Sequence, residues 1–224
     1  MSDLLILSAP DEPYENHIKL CLESWNNLKT RILPAISRLF QKDIRDVNNA
    51  IECTILCHDI GKLSLHWQEY IHKPKGERKH GPPHATLGAP YLSNLCGNNS
   101  SDLNDASAIA ILLHHTDSGM AQGNLEHPAE DAINRGLVEY GTQNIRWDKG
   151  AEDVFKLTLQ SFPYFKQNAM PLNSIKLESL EYITKQLRLW ARCPKEIERH
   201  SEFSRNRYKL VDFRYRQRTA TKSR

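Results

Sequence analysis

The chain has 224 residues, of which 39% are hydrophobic and 25% charged, and its formal net charge is +3. These values argue against a disordered or fibrous protein and predict one compact domain over residues 1–217, with a disordered tail over residues 218–224. The apolar stretch at residues 4–9 is too short to span a membrane and lacks the basic flank of a secretion signal, so we expect a cytoplasmic protein that does not bind membranes. The five cysteines form no C-x-x-C pair, which argues against a disulfide framework and a zinc knuckle.

Helical periodicity starts at about residue 14, and His17 lies on this first predicted helix. Two further helices are predicted over residues 28–40 and 47–58. Gly61 follows the second of them, at the position where helices commonly end in a left-handed turn. The sequence therefore predicts that this helix ends at the pair His58-Asp59.

The middle of the chain alternates helical and polar segments. Helices are predicted over residues 64–72, 84–95 and 103–115. The polar stretches at residues 73–83 and 116–128 are predicted to be loops, and the first of them is a candidate flap. The helix over residues 103–115 is apolar on all sides, so we expect it to be buried and central.

Helical patterns continue toward the C-terminus, over residues 129–140, 151–160, 177–190 and 195–217. Few segments alternate with the two-residue period of strands, so the predicted fold class is all-α. Residues 188–224 contain 12 Lys and Arg against four Asp and Glu and carry a formal charge of +8, whereas the rest of the chain carries −5. Such a basic segment is typical either of contact with nucleic acid or of a solvated helix face.

Two of the predicted helices end in adjacent ionisable residues that follow an apolar run, one in His58-Asp59 and the other in His114-His115. Polar side chains in an apolar interior are costly unless they are paired or bind a cation, and the partial negative charge of a helix C-terminus favours a cation. A single histidine is more often a capping or core residue than a ligand. Two tandem pairs together predict a metal site.

The same residues indicate which metals would suit the site. Neighbouring residues on a helix point about 100° apart, so a consecutive pair spans two sites more easily than it chelates one ion. Asp59, with two carboxylate oxygens, is then the natural bridge between two metals. Imidazole and carboxylate ligands suit manganese, iron, cobalt or nickel, and magnesium less well.

The order of these residues along the chain resembles that of the HD superfamily of metal phosphohydrolases. More narrowly, the chain is similar to the HD nuclease of type I CRISPR systems in the form found as a separate subunit. The resemblance runs from about residue 14 to residue 215 and includes a lysine followed by an aromatic-Gln pair within residues 62–70. The motifs that carry it are, in order, His17, His58-Asp59-Ile60-Gly61-Lys62, His84-Ala85 with Gly88-Ala89, His114-His115 and Asp212.

Two of these assignments, His84 and Asp212, match the family pattern less simply than the others. His80 is a nearby alternative to His84, which we prefer because Ala85 and the Gly88-Ala89 pair follow it in the manner of the family. At Asp212 the final aspartate is followed by an aromatic residue as in the family, but basic residues replace the small ones usually seen after it.

The resemblance implies an HD-domain helical bundle around a dinuclear metal site. Asp59 and Lys62 are the catalytic candidates, since Asp59 would bridge the metals and Lys62 would either neutralise a phosphate oxygen or act as a helix C-terminal cation. A water shared by the metals would attack phosphorus in line. One divalent ion would be held by His17, His58, Asp59 and Asp212, and the other by Asp59, His84, His114 and His115.

The leading hypothesis for function is a nuclease that cuts single-stranded DNA, or RNA. An HD-type nucleotide phosphohydrolase or cyclic-nucleotide phosphodiesterase is the first alternative, and a non-catalytic subunit that binds nucleic acid or an effector is the second. The basic C-terminal segment and the cations of residues 73–79 favour a polymer substrate. Because the chain contains no G-x-x-x-x-G-K-[ST] phosphate loop, the resemblance implies a separate helicase subunit and the CRISPR effector complex as partners.

Overall fold

The computed structural model describes residues 5–78, 81–82, 84–95, 102–112, 114, 145–165, 169–175 and 177. Several predictions fall on other parts of the chain. These are the helices over residues 129–140, 177–190 (apart from its first residue) and 195–217, the loop over residues 116–128, the tail, His80, and the candidate ligands His115 and Asp212.

A two-stranded hairpin leads directly into the longest helix. β1 (Leu7–Ala9) pairs antiparallel with β2 (Glu12–Pro13), and the tight turn between them holds Asp11 at a φ of 63°. α1 (Tyr14–Phe40) follows at once and ends at Gln41, which adopts the left-handed conformation. The hairpin therefore fixes where the first turn of α1 begins.

α1 is continuous, so the prediction of a separate helix over residues 28–40 was wrong. The helix continues through Asn26-Asn27, although asparagine has a weak helix propensity. The buried face continues across this pair, because Trp25 and Leu33 both pack in one cluster with Val47 of the following helix. Tertiary packing outweighs the local propensity here.

α2 (Ile44–Cys57) has well-defined ends. The side chain of Asp43 caps its N-terminus by accepting a hydrogen bond from the backbone N–H of Arg45 (2.8 Å). Its last helical residue, Cys57, immediately precedes His58. This confirms the prediction that the helix ends at the His-Asp pair.

A 3-10 turn (Ile60–Leu63) connects this end of α2 to α3 (Leu65–Ile71). The hydroxyl of Ser64 caps α3 by accepting a hydrogen bond from the backbone N–H of Trp67 (3.2 Å). The short helix predicted over residues 64–72 is thus confirmed. The described part of the following loop contains one further 3-10 turn, Lys75–Glu77.

α4 (Ala85–Leu95) and α5 (Asp102–Leu112) pack against each other and against α2. α5 buries residues all around its circumference, including Leu103, Ile109 and Leu112. The prediction of a buried, central helix is confirmed. Its C-terminal end brings His114 toward the end of α2.

Two glycines allow the close approach of α4 to α2. A Cβ atom at Gly61 would lie 2.1 Å from the backbone oxygen of His84, and one at Gly88 would lie 2.1 Å from that of Cys57. Gly61 lies in the 3-10 turn without a left-handed conformation, so its predicted role as the glycine that ends α2 was wrong. The position needs glycine because another backbone passes against it.

α6 (Ala151–Leu159) completes the described helices and packs on α1. The chain before it runs along the α2–α3 connection, where the N–H of Leu65 donates to the carbonyl of Arg146 (2.8 Å) and the N–H of Asp148 donates to that of Leu63 (3.1 Å). A last 3-10 turn covers Leu172–Ser174.

The all-α prediction is confirmed, with the small hairpin as its one strand pair among the described residues. The main core gathers apolar side chains from every described α-helix except α3, together with the 3-10 turn that precedes α3. Among the described residues, no helix combines the length and the apolar character that a membrane crossing requires.

Candidate metal centre

Asp59 is the centre of the cluster that the helices assemble. It follows the last turn of α2, and its side chain is 1% exposed. An ionised carboxylate at such a depth is unfavourable unless positive charge or hydrogen-bond donors surround it. The surroundings of Asp59 therefore determine what the site can do.

Four histidines bring the same ring atom, Nε2, to this carboxylate, two of them on each oxygen. His17 and His58 lie on the side of Oδ2, at 3.0 and 3.3 Å. His84 and His114 lie on the side of Oδ1, at 3.3 and 3.4 Å. The carboxylate thus separates the four imidazoles into two pairs.

The other ring atom, Nδ1, is held by the protein in all four cases. When Nδ1 carries the proton and donates it, the Nε2 lone pair is left facing Asp59. The acceptors are the carbonyl of Ile55 for His58 (2.7 Å), that of Ile111 for His114 (2.5 Å), that of Pro82 for His84 (3.4 Å), and Oε2 of Glu12 for His17 (3.2 Å).

His58 and His114 use the same local geometry at two different helix ends. Each ring donates to the carbonyl three residues before it, in the last turn of its own helix. Carbonyls in the last turn of a helix can accept hydrogen bonds from outside it, so this bond orients the ring. This explains physically why a histidine directly after an apolar helix becomes an inward-pointing ligand.

Glu12 makes His17 different from the other three. Its carboxylate accepts hydrogen bonds from the Nδ1–H of His17 and from the hydroxyl of Ser8 (3.0 Å). Carboxylate–histidine–metal arrangements of this kind fix the ring and raise the basicity of the ligand. The sequence did not single out Glu12, because no spacing rule connects a strand residue to the helix that follows it.

The arrangement fits a divalent metal ion. Nitrogen lone pairs that face a buried carboxylate repel it unless a proton or a cation lies between them. Oδ1 of Asp59 is fully buried, and the ring nitrogens that face it, Nε2 of His84 and of His114 at 3.3 and 3.4 Å, form no well-aligned hydrogen bond with it. Two atoms bound to one ion at about 2.0–2.1 Å, at angles of 90–110°, lie about 2.8–3.4 Å apart, which is the spacing found here.

Sulfur also reaches one half of the centre. Cys21, one helical turn after His17, places Sγ 3.8 Å from Nε2 of His17. Within the described part of the chain, two groups of potential ligands have their donor atoms within 4.8 Å of one another. One group is His17, Cys21 and His58, and the other is Asp59, His84 and His114.

Protons compete with metal for the Nε2 atoms near Oδ2. A hydrogen bond to Asp59, and a second, smaller effect of the hydrogen bond to Cys21, raise the pKa of His17 from 6.5 to about 10. Burial acts to lower the pKa of His58, but its hydrogen bonds to Asp59 and Cys21 outweigh burial and raise the pKa to about 9. Metal binding on this side must therefore displace protons at neutral pH.

The Oδ1 side behaves differently. Burial lowers the pKa of His84, which leaves its ring neutral and available as a ligand. Burial alone would raise the pKa of Asp59, but the close approach of the surrounding histidines, His114 first, outweighs burial and holds that pKa well below 3.8. The carboxylate is therefore ionised and able to bind cations throughout the neutral range.

Lys62 lies inside the centre and not on its rim. Its ammonium is 2.8 Å from Oδ2 of Asp59 and 5.2 Å from the centre of the Trp67 ring, and the residue is 7% exposed. Trp67 is 8% exposed and donates its ring N–H to the carbonyl of Leu7 (3.2 Å), as expected for a core residue. The ammonium directly offsets the negative charge of Asp59.

Gln68 fastens this lysine's backbone to the hairpin. Its side-chain amide donates to the carbonyls of Lys62 (2.6 Å) and Leu7 (2.8 Å) and accepts from the N–H of Leu7 (3.0 Å). The aromatic-Gln pair noted in the sequence is thus a structural clamp. It holds β1 against the 3-10 turn that follows Asp59.

The structure brings together five of the predicted metal ligands and the predicted catalytic lysine. The assembled ligands are His17, His58, Asp59, His84 and His114. His115 and Asp212 lie outside the described residues and stay predictions.

Comparisons with known proteins agree with this geometry. The family described as "Cas3, HD domain" matches residues 16–190 of the chain. The CRISPR-associated endonuclease Cas3-HD of Methanocaldococcus jannaschii is 27% identical over 124 residues, which cover 52% of this chain and 50% of that protein. The aligned part of the chain therefore spans half the length of this relative.

A solved structure supports the same fold. The CRISPR-associated Cas3 HD domain protein from Methanocaldococcus jannaschii is similar with a TM-score of 0.59 and 17% sequence identity. The match covers 93% of this chain and 95% of that chain. At this identity the likeness shows the fold, which is that of an HD domain.

The raised histidine pKa values predict how the stability of the metal-free protein depends on pH. His17 and His58 favour folding fully below pH 6.5, and this contribution is lost as pH rises through about 9 to 10. Chemical denaturation after chelation should therefore give a free energy of unfolding that falls from pH 6.5 to 10. The Asp59→Asn variant should show a flatter profile, and an equally steep fall in that variant would contradict the assignment.

Glu12 is predicted to act on metal affinity through His17. Glu12→Gln keeps the size of the side chain but removes its charge, so His17 becomes a less basic ligand. We expect metal affinity, measured by calorimetric titration with Mn²⁺, to fall by about 10- to 100-fold with little change in thermal stability. Glu15→Gln, an exposed change on the first turn of α1, serves as control. Equal affinities for the two variants would exclude this role.

Proposed function

The chain belongs to the Cas3 HD-domain family, and from this premise we propose that it is a metal-dependent nuclease that hydrolyses phosphodiester bonds of single-stranded DNA. The observation that carries the proposal is the position of Asp59 between two pairs of inward-pointing imidazoles. Such a carboxylate suits a bridge in a two-metal phosphoesterase.

Each half of the centre has its own protein ligands. His17, His58 and Oδ2 of Asp59 would hold one divalent ion, and His84, His114 and Oδ1 would hold the other. His115 and Asp212 would complete the two sets, as the sequence predicts. When bound, a pair of divalent ions supplies a water of lowered pKa and stabilises charge on the phosphoryl oxygens.

The chain's own residues prepare the site for this chemistry. Asp59 keeps its charge because its pKa is held well below 3.8, so it remains a bridge at neutral pH. The carbonyls and the Glu12 carboxylate that accept from Nδ1 keep every Nε2 atom directed inward. Lys62, 2.8 Å from Oδ2, lowers the net negative charge that an approaching phosphate meets.

The choice of a polymer substrate rests on charge. Lys73 and Lys75 are exposed on the loop that leads to His84, and residues 188–224 carry a formal charge of +8. Cations spread along a chain suit a run of phosphates better than a single nucleotide. We therefore favour a nucleic-acid strand over a free nucleotide as the substrate.

The partners follow from family membership. We propose that the protein acts with a separate helicase subunit and a type I CRISPR effector complex, which would supply the unpaired strand. Affinity-tagged protein should capture the helicase from cells that express the complete system. If the tagged protein is an active nuclease but captures no helicase, the partnership is refuted and the nuclease function stands.

Digestion of circular single-stranded DNA tests the nuclease function. Purified protein supplemented with Mn²⁺, Co²⁺ or Ni²⁺ should convert the circle into linear fragments. Asp59→Asn should reduce the rate at least about 100-fold, because the loss of a bridging ligand costs no less than the loss of a residue that only orients one. His66→Ala, a change at an exposed histidine of α3, should leave the rate unchanged.

The same assay separates the alternatives. An intact circle together with hydrolysis of nucleoside triphosphates or cyclic nucleotides would establish the phosphohydrolase instead. Circular and linear single-stranded DNA that the protein binds but leaves intact, with no hydrolysis of any of these nucleotides, would establish a non-catalytic subunit. Cleavage of DNA by the Asp59→Asn variant at the wild-type rate would contradict the two-metal mechanism.

A further inference from the structure

Cys21 occupies a position that the proposed mechanism does not use. It lies on α1 four residues after His17, so both side chains project from the same face of the helix. Its Sγ, one ring nitrogen of His17 and one of His58 lie within 4.8 Å of one another. The sulfur therefore faces the half of the centre on the Oδ2 side of Asp59.

The distances within this group match those of ligands on a single ion. A metal bound by nitrogen at about 2.1 Å and by sulfur at about 2.3 Å, with a tetrahedral angle, separates the two atoms by about 3.6 Å, and two such nitrogens by about 3.4 Å. Sγ of Cys21 is 3.8 Å from Nε2 of His17. The Nε2 atoms of His17 and His58 are 3.3 Å apart.

The other cysteines of the described core show the contrast. Cys53 and Cys57 are buried among the apolar side chains of the main core, as cysteines usually are. Cys21 is only partly buried, and two imidazoles surround its sulfur. Apolar packing does not account for this placement.

We propose that Cys21 is a thiolate ligand of the ion held by His17, His58 and Asp59. The inference rests on the metal centre of the proposed function. Within the described residues, the opposite half, with His84 and His114, has only nitrogen and oxygen donors. The two positions are therefore chemically unequal, and the sulfur-containing one favours thiophilic ions such as cobalt or zinc over manganese and magnesium.

Cobalt substitution detects this ligand directly. Metal-free protein titrated with Co²⁺ should develop a sulfur-to-cobalt charge-transfer band in the near ultraviolet. Cys21→Ser should lose that band while still binding cobalt through the imidazoles. Cys53→Ser, at a core cysteine in α2, is the matched control and should keep the band.

The extended X-ray absorption fine structure at the cobalt edge of the wild-type protein gives a second measurement, which needs no variant. It should contain a sulfur scatterer at about 2.3 Å. A first shell of nitrogen and oxygen alone at saturating cobalt would overturn the inference, as would a charge-transfer band that persists in Cys21→Ser.

These outcomes are independent of nuclease activity. A wild-type protein that cuts the circle but shows no sulfur ligand retains the proposed function and loses this inference. A protein that binds cobalt through Cys21 but leaves all nucleic acids intact keeps the inference and loses the function.

Discussion

The structure depends on the burial of one ionised carboxylate. Asp59 is 1% exposed, and a negative charge at that depth costs several kcal/mol unless its surroundings compensate it. Lys62 supplies one positive charge at 2.8 Å, and four imidazoles direct Nε2 atoms at the two carboxylate oxygens. A site with this composition favours cations.

The helices are arranged to serve this carboxylate. His58 follows α2 and His114 follows α5, and the Nδ1 atom of each histidine bonds the carbonyl three residues before it. Gly61 and Gly88 remove the Cβ atoms that would keep α4, and with it His84, away from the end of α2. The hairpin supplies Glu12, which orients His17, so the fourth ring is fixed from outside the helical bundle.

Part of this centre was predicted from the apolar runs that precede its residues, and another part from the order of the family motifs. Two ionisable residues after an apolar helix must lie at the edge of the core, which is why His58, Asp59 and His114 were identifiable from the sequence. His17 and His84 depended on the family resemblance, since nothing local distinguishes them from surface histidines. Glu12 was missed as a site residue because its contact with His17 joins two elements. Cys21, the ligand that we propose, lies one turn after His17 on the same helix and was missed because a cysteine usually packs as a small apolar residue. Gly61 was misread because a glycine needed for close approach looks, in sequence, like one that ends a helix.

A crystal structure of the cobalt- or manganese-loaded protein, with anomalous diffraction data, tests most directly whether Asp59 bridges two metals. We expect two anomalous peaks about 3.5–4 Å apart, one on each side of Asp59, with His17 and His58 on one ion and His84 and His114 on the other. A single peak, or two peaks that Asp59 does not bridge, would contradict the two-metal proposal.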